Sequence, residues 1–115
     1  MASSPRRGDV FWVEFEPARG VEQAGPHPAV IIQNDVGNEY APSTVVAAIT
    51  SAALRKDYPF AVTLVAGDGG LSRSGYVNCS QLMTVDKSRL GPRIGSLSNA
   101  TMERLAAALR YELSL

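Results

Sequence analysis

The chain contains one cysteine, Cys79, and one histidine, His27. A lone cysteine excludes an intrachain disulfide. Two such ligands are too few for the zinc sites that proteins build from thiolate and imidazole. An oxygen-ligated magnesium site stays open in principle, but no spaced carboxylate cluster stands out. Asp9, Glu14 and Glu16 read more simply as solvated side chains and a turn residue. No metal and no cofactor is therefore expected. Long apolar runs are missing too: nothing approaches the eighteen or so residues that span a bilayer. Arg6 and Arg7 are followed by no apolar stretch of signal-peptide type, so the expectation is a cytoplasmic protein with no membrane partner. Net charge is also absent, since 11 basic and 11 acidic side chains cancel. That argues against a protein that coats nucleic acid indiscriminately; a nucleic-acid binder of this composition works through a local patch.

Two catalytic frameworks are lacking as well. No G-x-S-x-G elbow places a serine nucleophile. Gly67-Asp68-Gly69-Gly70 has no Lys-Ser/Thr and no evident helix after it, so it reads as a plain hairpin turn and not as a phosphate loop.

What is present is enough apolar material, 45% of 115 residues, for one core. A single domain over 1–115 is expected, with a loose tail at 1–6. Val10 to Phe15 is dense in β-branched and aromatic residues and predicts a strand. Residues 18–28, with two glycines and two prolines, predict a long loop, and loops of that length without structure of their own are usually functional or disordered. Ala29–Gln33, Thr44–Thr50 and Phe60–Val65 predict further strands, as do Gly75–Asn78 and Gln81–Val85. Asn34–Pro42 reads as turn chemistry, and Gly91-Pro92 and Gly95 as a connector. Ser98 is placed to cap a helix, with Leu97 and Met102 as its hydrophobic staple. Met102, Leu105, Ala106, Leu109 and Leu113 follow helical spacing. Six short strands and one terminal helix predict a mainly β fold, a small barrel or strongly bent antiparallel sheet with a C-terminal α-helix packed on it.

Three segments carry a more specific signal. They are Arg7-Gly8-Asp9-Val10-Phe11-Trp12-Val13, then Glu22-Gln23-Ala24-Gly25-Pro26-His27-Pro28-Ala29-Val30, and then Gln33-Asn34-Asp35. With the later Ala47-Ala48-Ile49-Thr50, they resemble the MazF/PemK/Kid family of toxin ribonucleases over nearly the whole chain. The resemblance implies an SH3-like barrel ending in a helix, working as a homodimer. It implies a sequence-selective endoribonuclease that cuts single-stranded RNA without a metal. The RNA's own 2′-hydroxyl attacks and leaves a 2′,3′-cyclic phosphate and a 5′-hydroxyl. It also implies a cognate antitoxin as partner. Such chemistry needs a proton acceptor, a proton donor and charge stabilisation of the phosphorane, and the 2′-hydroxyl selects RNA over DNA.

By the same resemblance the catalytic positions are an arginine before the loop's proline and a threonine at the end of the third strand. Thr50 holds the second. The first is occupied by His27, a departure from the family pattern. Imidazole titrates near neutral pH where guanidinium is always charged. It can transfer protons but cannot make a bidentate phosphate clamp. Glu22 is a candidate base or loop organiser, and Gln23 a candidate RNA or backbone contact. Arg55 and Lys56 make a small basic loop that can guide RNA phosphates, and Tyr58 beside them can stack on a base. Each of these also has an ordinary reading, as a surface histidine, a strand-end threonine, solvated loop residues or a charged loop. Trp12 is expected in the core or at a dimer surface. The competing function is a toxin of the same fold that grips a protein such as DNA gyrase and cuts nothing.

Overall fold

A computed structural model of the protein describes residues 4–15 and 25–115. The order along the chain is β1 (Asp9–Phe15), β2 (Gly25–Ile31), α1 (Asp35–Tyr40), β3 (Ser43–Thr50), β4 (Ala61–Leu64), β5 (Gly75–Asp86), β6 (Leu90–Ser96) and α2 (Asn99–Leu113). The strands form one antiparallel sheet in the order β4-β5-β3-β2-β1-β6. This is the expected bent, mainly β architecture with a C-terminal helix.

The middle strands are apolar on both faces, which is why they read as near-continuous Val, Ile and Ala runs. On one face Val10, Val30, Ala47, Ile49, Val62 and Val77 pack beneath α2, which contributes Leu105, Ala108 and Leu109. On the other, Val13, Ala29, Ile31, Val46 and Val85 form a second cluster with Phe11 and Leu90. Val10 and Val13 are both fully buried, and their odd spacing sends them to opposite faces.

Several sequence expectations need correction. Asn34–Pro42 is not only a turn: it holds α1, whose N-cap Asn34 accepts a hydrogen bond from the Gly37 N–H at 2.8 Å. Asn38 from this helix is fully buried and accepts from the Thr44 hydroxyl at 2.7 Å. Gly75–Asn78 and Gln81–Val85 belong to one strand. Its break is a bulge, where Ala47 pairs with Leu82 and the next residue, Ala48, with Asn78; the extra residues bend the sheet. The 91–95 connector is β6. There Gly95 is pressed so close to the Gly69 carbonyl that an added Cβ would lie 2.5 Å from its oxygen.

Asp9 is not a solvated side chain. It is 7% exposed, accepts from the Arg6 N–H and the Ser96 hydroxyl, and faces Arg93 at 3.3 Å. Glu14 is exposed, and Glu16 lies outside the described residues. Within the stretch expected to be loose, Pro5 is buried. Trp12 is not core; it is 43% exposed.

Ser98 caps α2 as expected, accepting from the Thr101 N–H. The buried stripe is Thr101, Leu105, Ala108 and Leu109, while Ala106 is half-buried and Leu113 exposed. The Gly-Asp-Gly-Gly segment is a 3₁₀ turn rather than a plain hairpin. Its Asp68 reaches the start of α2, accepting from the Ser98 N–H at 2.9 Å and the Thr101 hydroxyl at 2.5 Å. Burial works to raise the Asp68 pKa, but hydrogen bonds from Thr101, Ser98 and Gly69 outweigh it and hold the carboxyl below its ordinary value.

Candidate functional site

The site begins with two prolines. His27 lies between Pro26 and Pro28, and the sequence reading put all three on a loop; the structure puts them in β2, paired along its length with β1. The direction of the backbone groups explains how a strand tolerates them. The Ile31 carbonyl accepts from the Gly8 N–H on the β1 side, whereas the Ile32 N–H donates to Val45 on the β3 side. Groups alternate along a strand, so even-numbered residues of β2 face β3. The two missing donors, at Pro26 and Pro28, are therefore ones that would have bonded to β3.

The pairing stops accordingly. β2 and β3 are in register at Ile31–Val46, Val30–Ala47 and Ala29–Ala48 and no further. Both strands continue, β2 against β1 as far as Gly25–Phe15 and β3 against β5 as far as Thr50–Tyr76. The sheet is thus split at this end. Continuing the register two residues past Ala29–Ala48 brings His27 to the lip opposite Thr50. Both side chains lie on the face that carries Val13, Ala29 and Val46, away from α2.

His27 is half-buried with Nε2 shielded from solvent, so it is not a freely solvated surface histidine. Thr50 is also half-buried. Its hydroxyl oxygen accepts from the Ala52 N–H at 3.3 Å, which leaves the hydroxyl proton free to donate elsewhere. Gly75 holds the strand end in place from the β5 side: a Cβ there would sit 2.0 Å from the Thr50 carbonyl oxygen. Only a residue without a side chain allows that approach.

Arg55, Lys56 and Tyr58 follow Thr50 on the loop to β4. Arg55 and Lys56 are exposed and Tyr58 is half-buried. The Tyr58 ring stacks on Phe60 with centroids 5.0 Å apart, and Lys56 Nζ stands 5.3 Å from its centre. Lys56, Tyr58 and Phe60 therefore form a prearranged stack on the segment that follows Thr50, and Arg55 is not part of it. Glu22 and Gln23 lie outside the described residues.

Sequence reading missed Tyr76 beside Thr50 and an arginine, unpaired among the described residues, on the connector before β5. Tyr76 is the direct cross-strand partner of Thr50. Arg73 is exposed, two residues before Gly75, and among the described residues it makes no hydrogen bond or ion pair. Arg6, Arg7, Arg93 and Arg104 are committed to Asp35, the Ile32 carbonyl, Asp9 and Thr63 respectively. Only the strand register, which the sequence does not display, places Tyr76 here; Arg73 lies outside the strands, on the connector that leads into β5.

Cys79 lies in the core beneath the sheet, and burial together with the charge of Glu112 pushes its thiol up to about 11. It is not a nucleophile at neutral pH. Among the described residues no three His, Cys, Asp or Glu side chains are grouped as a metal site. No helix among them is long and apolar enough to cross a membrane.

The chain is 36% identical to "Endoribonuclease EndoA" of Bacillus subtilis (strain 168) over 110 residues, 96% of this chain and 95% of the relative. It is 37% identical to "Endoribonuclease MazF" of Staphylococcus saprophyticus, covering 96% of this chain and 92% of that one. Among solved structures, a mycobacterial "Endoribonuclease in complex with its cognate antitoxin" superposes with a TM-score of 0.80 at 29% identity, covering 97% of each chain. MazF of Deinococcus radiodurans also gives a TM-score of 0.80, at 28% identity, covering 99% of this chain and all of that one. Residues 6–113 match the family described as "PemK-like, MazF-like toxin of type II toxin-antitoxin system", and the chain belongs to that family.

Proposed function

We propose that the split between β2 and β3 is the place where this toxin cleaves single-stranded RNA, with His27 and Thr50 acting on one phosphate. Endoribonuclease activity is the function that the family and the curated relatives support, and a gyrase-gripping toxin is not favoured beside it. The observation that carries the mechanistic reading is the register. Extended two residues past Ala29–Ala48, it aligns His27 with Thr50, whose hydroxyl proton is uncommitted, at the point where two prolines remove donors toward β3.

His27 takes the proton of the attacking 2′-hydroxyl or returns one to the leaving 5′-oxygen. Thr50 donates to a non-bridging oxygen as the phosphorane gains charge. An imidazole cannot supply the fixed positive charge of the family's arginine, so the guanidinium charge comes from the flanking Arg55 and Arg73. Lys56 extends the basic wall along the incoming strand. By the family resemblance, Glu22 serves as a further base or organiser and Gln23 as an RNA contact. Tyr58, already stacked on Phe60, offers its remaining surface to a base. The working form is a cytoplasmic homodimer, and its protein partner is a cognate antitoxin, as in the mycobacterial complex.

The products decide the mechanism. Attack by the 2′-hydroxyl forms a bond to phosphorus and breaks the bond to the 5′-oxygen, which leaves protonated. Incubation of the protein with a long single-stranded RNA in EDTA is expected to give discrete fragments with 2′,3′-cyclic phosphate and 5′-hydroxyl ends. Intact RNA at high protein concentration, or cleavage that appears only with added magnesium, contradicts the proposal.

A further inference from the structure

Tyr76 is the aromatic residue next to Thr50. The two are cross-strand partners in the β3–β5 pairing, so their side chains share a face with Cβ atoms about 5 Å apart. Tyr76 also pairs with Thr63 on β4. The residue after it, Val77, lies in the core between Ile49 and Val62, so alternation turns Tyr76, Thr50 and Thr63 to the opposite face. That face, at that end of the sheet, is the one that carries the split. Continuing the β2 register adds His27 to the same row.

The ring is also uncommitted. Tyr76 is half-buried, which fixes its base against the sheet. Among the described residues it enters no aromatic pair, lies under no cation and makes no side-chain hydrogen bond. Tyr58 differs, since one side of its ring is stacked on Phe60 and Lys56 stands over it. An aromatic residue held beside the reacting position with a free face is a stacking platform for a single-stranded base, and stacking of this kind tolerates any base while favouring the larger ones.

We propose that Tyr76 stacks on the base of a nucleotide flanking the cleaved phosphate. By doing so it fixes the RNA strand across the split and sets which base is preferred at that one position. The inference rests on the reading of the His27–Thr50 split as the cleavage site, and it adds a specificity residue to that site. Thr50 holds the phosphate; one cross-strand step away, Tyr76 holds the neighbouring base; the geometry ties the two to a fixed offset along the RNA.

The test uses the full chain and a short RNA containing its cleavage site, with a single abasic nucleotide moved along the sequence. Wild-type protein is expected to lose about tenfold or more in kcat/KM at one abasic position beside the cut, the scale of one stacked base. In Tyr76→Ala the intact RNA is cut more slowly by a similar factor, and that abasic position becomes no worse than the intact RNA. Tyr76→Phe, which keeps the ring, recovers both the rate and the abasic sensitivity. A merely structural role would lower the rate without erasing the sensitivity at one position. If Tyr76→Ala does not fold, Tyr76→Leu replaces the bulk without the π face and carries the same comparison. Unchanged kcat/KM together with an unchanged abasic profile in the ring-less variant overturns the proposal. Failure of the wild-type protein to cut any RNA instead removes the functional reading on which it stands.

Discussion

The two ends of β2 differ in how they are paired. At Ala29–Ile31 the strand is bonded on both sides, to β1 and to β3, and every side chain there is fully buried. At Gly25–Pro28 it keeps β1 and loses β3. The zipped end feeds two hydrophobic clusters, and the open end presents His27 toward Thr50. Proline placed with period two does not end a strand. It removes donors from one edge only, and so cuts a sheet along one seam while leaving the strand anchored on the other side. The zipped end supplies rigidity, and at the other end the ladder between β2 and β3 is missing while each strand stays paired on its far side.

The contrast is broken most severely by moving a lip. Gly75→Ala drives a methyl group into the Thr50 carbonyl. It is expected to cost about 1–3 kcal/mol of stability by overpacking and roughly 100-fold in cleavage rate through the displaced strand end. Thermal melts and single-turnover cleavage measure the two effects. A variant with wild-type melting and rate would show that the strand end is not held where catalysis needs it.

A smaller effect comes from repairing the seam. Pro28→Ala restores an N–H aimed at β3. Its stability should change little, because a gained hydrogen bond of about 0.5–1.5 kcal/mol is set against about 0.4–1 kcal/mol of restored unfolded-chain freedom. The amide of residue 28 should become protected from hydrogen exchange, and cleavage should slow as the gap narrows. An unprotected amide with unaltered cleavage argues against the proline seam.

The smallest effect belongs far from the split and leaves activity alone. Asp68 anchors the start of α2. Its folded-state pKa lies below the ordinary 3.8, so its contribution is complete above that value and disappears as pH falls through the lower folded value. Asp68→Asn should cost about 1 kcal/mol at neutral pH. The gap in melting temperature from wild type should shrink in acid, while RNA cleavage at neutral pH stays as it was. A gap that widens on acidification reverses the sign of the argument.

Much of this was legible in the residues. The Val-Phe-Trp-Val run gives β1, the Thr44–Thr50 run gives β3, and Ser98 with the spacing that follows gives α2. Thr50 was identifiable as a strand-end hydroxyl. The losses have physical causes. His27 read as a loop residue because two prolines lie beside it, and only the pairing shows that their missing donors face one neighbour. Helix α1 has six residues, too few for a helical period to declare itself. β6 hides behind Gly91, Pro92 and Gly95, whose small or donor-poor backbones suit an outer strand pressed against other chain. Tyr76 could not be placed beside Thr50 because the bulge between Asn78 and Leu82 resets which residues of β5 face which side.

If His27 and Thr50 act on one phosphate across the proline seam, removing either disables the same step. A double-mutant cycle on the single-turnover cleavage rate tests it most directly, with His27→Ala, Thr50→Val and the combination. Each single change should cost on the order of 10²–10⁴-fold with the melting temperature preserved. The pair should cost far less than the product of the two losses, because groups serving one step fail together. Losses that multiply, or a His27→Ala protein that cuts RNA at the wild-type rate, would contradict the account.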